Sequence, residues 1–373
     1  MAPISAALLL ILTSAGGCLA APSAFLQLSA PPSMHGVDNF KITTTITNTG
    51  SEPLRLLNDP RSPLSDLPTN LFTITNPHGT SPDFIGIEVK YIPQVAAVSR
   101  DPLAITAIAP GESVHVVHDL SLAYNFSTSG SGPYAVNVRE LNTLYHVTGN
   151  SILPLLAGRG LPHHAINITG LPPPHTRNVL SRGAKGCEDW QERAVQSAIP
   201  LANHYVANAL DELSRQGCKG SDYKRWFGAP SEHRLSTVAS HFEALVGNNF
   251  TDFTFVCNTA FCSRSSGLFA YVYPDEFGKI NVCDMFFRSP VGGRDSRAST
   301  IVHESSHFTR NGGTQDHAYG PTLTQELARG YPQLAVMNAD NHEYFAADAH
   351  ESRGEEPSIV LAQAYFGPET YSF

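Results

Sequence analysis

Residues 298–307 read Ala298-Ser299-Thr300-Ile301-Val302-His303-Glu304-Ser305-Ser306-His307. The run up to Val302 suits a helix, and on a helix residues i and i+4 share a face. Both imidazoles of this HExxH motif can therefore reach one Zn2+, and Glu304 is placed to take a proton from the attacking water. A catalytic zinc has three side-chain ligands and one open position, which makes the third ligand the deciding residue. The HExxHxxGxxH pattern fails, because Arg310 stands where its glycine should be and Gly313 where its third histidine should be. Two candidates remain. One is Glu326 on a following helix; the other is Asp316, reached after a Gly312-Gly313 break that lets the chain turn back towards the metal.

Further along stands Gly313-Thr314-Gln315-Asp316-His317-Ala318-Tyr319-Gly320. HExxH followed by this GTxDxxYG stretch resembles the aspzincins, the family that contains deuterolysin and the peptidyl-Lys metalloendopeptidases. The resemblance extends through Trp226-Phe227-Gly228, Tyr271-Val272-Tyr273-Pro274 to Phe277-Gly278, and Asn338-Ala339-Asp340-Asn341-His342-Glu343-Tyr344-Phe345. It implies a zinc endopeptidase with one Zn2+ per chain, His303, His307 and Asp316 as ligands, Glu304 as general base and Tyr319 stabilising the tetrahedral intermediate. It further implies that Cys187 pairs with Cys257 and Cys262 with Cys283, which leaves Cys218 unmatched. Asp340 and Glu343 match the acidic positions of the pocket that takes lysine on the C-terminal side of the cut. Three residues apart on a helical turn they can face one cation, and a lysine ammonium must be paired when it leaves water. A deuterolysin-like taste for basic proteins is the alternative, and a catalytically silent binding protein on the same scaffold is the rival from another class.

The 373 residues, 42% hydrophobic and 15% charged, suffice for two domains and exclude disorder or coiled coil. A net charge of -9 argues against nucleic-acid binding and suits basic partners. Residues 1–182 hold 9 basic and 10 acidic side chains and residues 183–373 hold 15 and 23, so almost all of that charge sits in the second half. Residues 1–20 read as a secretory signal peptide, with an apolar run from Ala6 to Leu12 and small residues before Ala20. No later stretch is long enough for a membrane span. The clustering of Cys187, Cys218, Cys257, Cys262 and Cys283 in one half, without zinc-knuckle spacing, reads as a disulfide framework. Sequons at Asn125, Asn167 and Asn249 fit the same extracellular destination.

From Ala24 to Val147 short alternating runs separated by Gly, Pro, Asn and Asp clusters predict an all-β sandwich, with strands at 24–28, 40–47, 71–74, 85–89, 113–117 and 134–138. No cluster of ionisable residues at ligand spacing lies there, so the sequence offers no chemistry for this half. The Pro, Gly and His-rich stretch 153–182 reads as a linker. A helix over 188–214 and strands at 254–256, 268–273 and 279–283 then predict an α+β, zincin-type catalytic domain, helical with a small sheet. The expected organisation is a signal peptide over 1–20, a propeptide with sandwich and linker over 21–182, and a metalloendopeptidase domain over 183–373. The propeptide would be removed near Arg182 or Lys185, and the enzyme would act as a monomer on protein or peptide substrates. A cysteine switch is excluded, because without Cys18 the propeptide has no cysteine. A retained binding module is the competing reading of this half.

Overall fold

The computed structural model describes residues 22–35, 40–139, 144–149, 151–160, 164–170 and 185–353. The expectations for residues 1–20, for Arg182 and for the stretch joining the two halves fall outside these residues.

The N-terminal half is almost entirely β. Its first sheet runs, in spatial order, Gly158–Arg159, Ala24–Ser29, Lys41–Asn48 and Ser113–Asp119. A second runs Ser33–His35, His164–Thr169, Gly132–Val138 and Phe72–Thr75, and a third Ser151–Leu155, Leu144–Thr148, Leu54–Leu57 and Ile105–Ile108. Strand Lys41–Asn48 shows why: β-branched residues fill it, and alternate side chains are buried. Those inward residues, among them Ile42, Ile46, Leu56, Ile74, Val136 and Ile166, form one apolar cluster. The sequence reading of 153–182 needs correction here. Ser151–Leu155, Gly158–Arg159 and His164–Thr169 are paired strands, so much of the expected linker belongs to the sheets.

The C-terminal half packs helices Asp189–Gln216, Glu232–Val246, Arg297–His307 and Ala339–Glu351 around a second core that includes Trp226, Phe242, Phe286 and Tyr344. The first of these helices starts in a capping box between Glu188 and Gln191. The pairs Cys187–Cys257 and Cys262–Cys283 form as the family resemblance implied, and Cys218 is a buried free thiol. No helix among the described residues is long and apolar enough to cross a membrane.

The small sheet of this half holds the main departure from expectation. Its order is Thr254–Cys257, Lys279–Val282, Leu268–Val272 and Glu88–Tyr91, so its fourth strand comes from the N-terminal half. The strand expected at 85–89 begins at Glu88, leaves the N-terminal sheets and pairs antiparallel to Leu268–Val272, with Val89 opposite Tyr271 and Lys90 opposite Ala270. All four of its residues are buried. The opposite edge is covered at one point by Lys185, which forms a parallel bridge with Val256.

Candidate active site

The helix Arg297–His307 is capped by Ser296, whose side chain and that of Ser299 exchange bonds with each other's backbone. From Ala298 to His307 every residue is buried, so the two histidines point into protein rather than solvent. The helix stops at Phe308, and Gly312 and Gly313, at φ 143° and 61°, turn the chain back. Thr314 N–H then bonds Ser306 O at 3.1 Å, and the following residues are held by Asn338, whose Oδ1 accepts from His317 N–H at 2.7 Å and Ala318 N–H at 3.1 Å. This return brings Asp316 against both imidazoles: His303 Nε2 stands 3.3 Å from Asp316 Oδ1 and His307 Nε2 3.6 Å from Asp316 Oδ2.

These atoms fit a metal ion. His303 Nε2, His307 Nε2 and Asp316 Oδ1 are buried without a hydrogen-bond partner, and the three residues converge within 4.8 Å. Ligand atoms ~2.0–2.2 Å from one tetrahedral ion stand about 3.3–3.6 Å apart, the separation found here. The tautomers suit it too. His307 Nδ1 donates to Thr314 O at 2.8 Å, which leaves Nε2 as the lone-pair nitrogen, and His303 Nδ1 lies 2.9 Å from Asp340 Oδ1. Glu326, the other candidate ligand, is exposed on helix Gly320–Gly330 and is not part of this cluster.

Glu304 and Tyr319 sit beside it, both fully buried. Burial, reinforced by Asp316, pushes the Glu304 carboxyl well above its ordinary range, and the same two causes raise the Tyr319 phenol, which therefore stays protonated as a donor. The Arg61 guanidinium of the N-terminal half covers the Tyr319 ring at 3.8 Å.

A second acidic group, formed by Asp340 and Glu343 of helix Ala339–Glu351, touches His303 from the other side. It has the make-up of a metal cluster, but a cation already fills it. Lys90 Nζ lies 2.9 Å from Asp340, 2.6 Å from Glu343 and 2.8 Å from Asp295. Burial works against the ammonium charge, yet these carboxylates outweigh it and hold the Lys90 pKa well above normal, while Asp340 is held below the usual carboxylate range. The sequence reading found two of the three carboxylates. Asp295 was missed because it sits outside any motif, at the end of the Gly292-Gly293-Arg294 loop with φ 54°, held by Tyr344 hydroxyl at 2.8 Å. The N-terminal half was wrongly set aside as offering no chemistry: Lys90, Glu88 and Arg61 all reach the site. The signal was a lysine and a glutamate inside an otherwise strand-like run, 85–91.

The backbone of the same strand continues the contact. Val89 N–H donates to Asp316 Oδ2 at 2.8 Å, Lys90 N–H to Glu304 Oε1 at 2.8 Å, and the Tyr319 hydroxyl donates to Val89 O at 2.6 Å. Glu88 faces Asp316, and burial with that neighbouring charge raises its pKa well above normal.

A family model described as lysine-specific metallo-endopeptidase, the aspzincin model, matches residues 212–347. A peptidyl-Lys metalloendopeptidase from Grifola frondosa is 43% identical over 331 residues, 87% of this chain and 92% of the relative. The chain belongs to the aspzincin family. A second relative of that name, from Armillaria mellea, is 37% identical over 336 residues, with 89% of this aspzincin and 94% of the relative covered. A solved zinc peptidase from Grifola frondosa shares 44% identity over 43% of this chain and 97% of its own, with a TM-score of 0.41. This aspzincin is accordingly a metalloendopeptidase, and its substrates are peptides or proteins.

Proposed function

We infer that this chain is the precursor of a secreted zinc endopeptidase that cuts on the amino side of lysine, with residues 183–373 as the enzyme and residues 21–182 as its propeptide. The observation that carries the lysine preference is the pocket of Asp295, Asp340 and Glu343, three carboxylates that close on one lysine ammonium, with His303 Nδ1 the other basic group against Asp340 and Glu343. An uncharged side chain there would leave buried charges unpaired, which costs several kcal/mol and supplies the discrimination. His303, His307 and Asp316 would hold the zinc, and the converging partnerless atoms support that set. When bound, zinc supplies a Lewis acid that polarises the scissile carbonyl and eases ionisation of water. Glu304, beside the amide nitrogen, accepts the proton of the attacking water and delivers it to the leaving amine. Tyr319 donates its hydroxyl to the carbonyl oxygen as negative charge builds there. Two disulfides and the expected signal peptide support secretion.

Two measurements test this. Zinc content by mass spectrometry should fall to background in Asp316→Ala and stay at one per chain in Glu326→Ala; the reverse result would reassign the third ligand. Peptides with Lys, Arg, Met or Ala after the bond, offered to the processed enzyme with and without chelator, should be cut at the lysine peptide at least tenfold faster. Equal rates throughout would move the enzyme to the broader, deuterolysin-like reading.

A further inference from the structure

The strand Glu88–Tyr91 lies across the site with the polarity of a substrate. Its Val89 carbonyl receives the Tyr319 hydroxyl, the next amide nitrogen meets Glu304 Oε1, and the side chain immediately after that bond is a lysine enclosed by the acidic pocket. Glu304 Oε2, its other oxygen, is buried without a hydrogen-bond partner. A strand that merely covered the cleft would need none of these coincidences, since any backbone closes a sheet edge.

We propose, resting on the endopeptidase reading above, that the Val89–Lys90 peptide bond is this chain's own first substrate, blocking the cleft until it is hydrolysed intramolecularly. In that step the oxygen of water adds to the Val89 carbonyl carbon and one proton passes to Glu304. The C–N bond then breaks, and the proton moves to the Lys90 nitrogen. The products are a carboxyl terminus at Val89 and an amino terminus at Lys90, with no oxidant or reductant consumed. Lys185 is placed differently. It lies on the far edge of the same sheet, four strand spacings or roughly 19 Å from the crossing strand, so a cut before Lys185 requires a second molecule or a rearranged chain.

The test uses the full chain, stripped of metal by chelator and dialysed. Zinc is added over a hundredfold range of protein concentration, and intact masses are followed in time. The expected first event is a cut between Val89 and Lys90 with a rate constant independent of concentration, absent in Glu304→Gln and at least a hundredfold slower in Lys90→Met. A second readout does not depend on turnover. In the uncut Glu304→Gln chain a fluorescent lysyl peptide should bind weakly, and adding Lys90→Met should tighten its binding at least tenfold by vacating the pocket. An intact Val89–Lys90 bond in a sample that cuts added lysyl peptide would overturn the proposal and leave the endopeptidase reading standing, as would a first cut whose rate scales with concentration. A folded, zinc-loaded chain that cuts neither would overturn both.

Discussion

The two edges of the peptidase sheet are both covered by segments carrying a lysine, and they are covered in different ways. At one edge Lys185 contributes only backbone: its N–H donates to Phe255 O and its carbonyl accepts from Cys257 N–H, each at 2.9 Å, while its side chain is half-buried. At the other, Lys90 is wholly buried, and both its amide and its ammonium are matched to specific groups. Sealing a strand edge needs hydrogen bonds and nothing more, whereas recognising a side chain needs a dry pocket of opposite charge. The second kind of closure is open to attack at single residues; the first is not.

The largest difference should appear in turnover. Glu304→Gln at the Lys90 edge should slow hydrolysis of a lysyl peptide by the processed enzyme on the order of 10²–10⁴-fold, the usual weight of a general base, while Lys185→Ala stays within about twofold. Stability should separate the edges next. In the uncut chain Lys90→Met strands three carboxylates and should weaken docking of the strand by about 3–5 kcal/mol, whereas Lys185→Met should change stability by under ~0.5 kcal/mol. Thermal melts and cleavage at residues 88–91 by an unrelated protease would read both.

Acid should then act on one edge through its anchor. His118, buried in the N-terminal core with Nε2 2.9 Å from Thr44 Oγ1, has its pKa lowered to about 4, chiefly by burial, with Asp66 opposing. The unfolded chain therefore binds the extra proton between about pH 6.5 and 4. Stability from this group is complete above pH 6.5 and declines as pH falls towards 4, by about 3 kcal/mol at most. Melts of the N-terminal half from pH 7 to 4.5 should show a loss that His118→Gln reduces. The smallest effect concerns pocket selectivity. Asp295 is the more exposed of the three carboxylates, with 27% of its side chain accessible against none for Asp340 and Glu343. Asp295→Asn should cut the preference for lysine over methionine by about tenfold, the low end of the ~1.5–3 kcal/mol of one charged hydrogen bond, as suits a partly exposed carboxylate. An unchanged preference would confine recognition to the other two.

What was legible in the sequence followed from local constraints. The alternation in 41–48 and the 3.6-residue period of 189–216 place strand and helix, the i, i+4 spacing pairs His303 with His307, and the family resemblance rather than spacing picks Asp316 over Glu326. Proline and glycine misled at 153–169, where Pro154 sits in a strand despite lacking an amide hydrogen to donate. Strand Glu88–Tyr91 was recognisable as extended chain, yet which sheet it joins is decided by partners some 180 residues away, and no window of sequence contains them. Asp295 was hidden for the same reason: its carboxylate acquires meaning only opposite Lys90 and Tyr344.

The turn at Gly312 carries a last consequence, for the tolerance of the chain to change. A β-carbon there would lie 2.7 Å from the His241 ring, and that ring is stacked on His342 of helix Ala339–Glu351 at 5.2 Å. The loop that delivers Asp316 is therefore wedged against the helix that delivers Asp340 and Glu343, through one pair of imidazoles. In a survey of every single substitution, position 312 should be as unforgiving as His303, His307 and Asp316, though it is not one of that cluster. Drift at this surface is then constrained by volume rather than by chemistry.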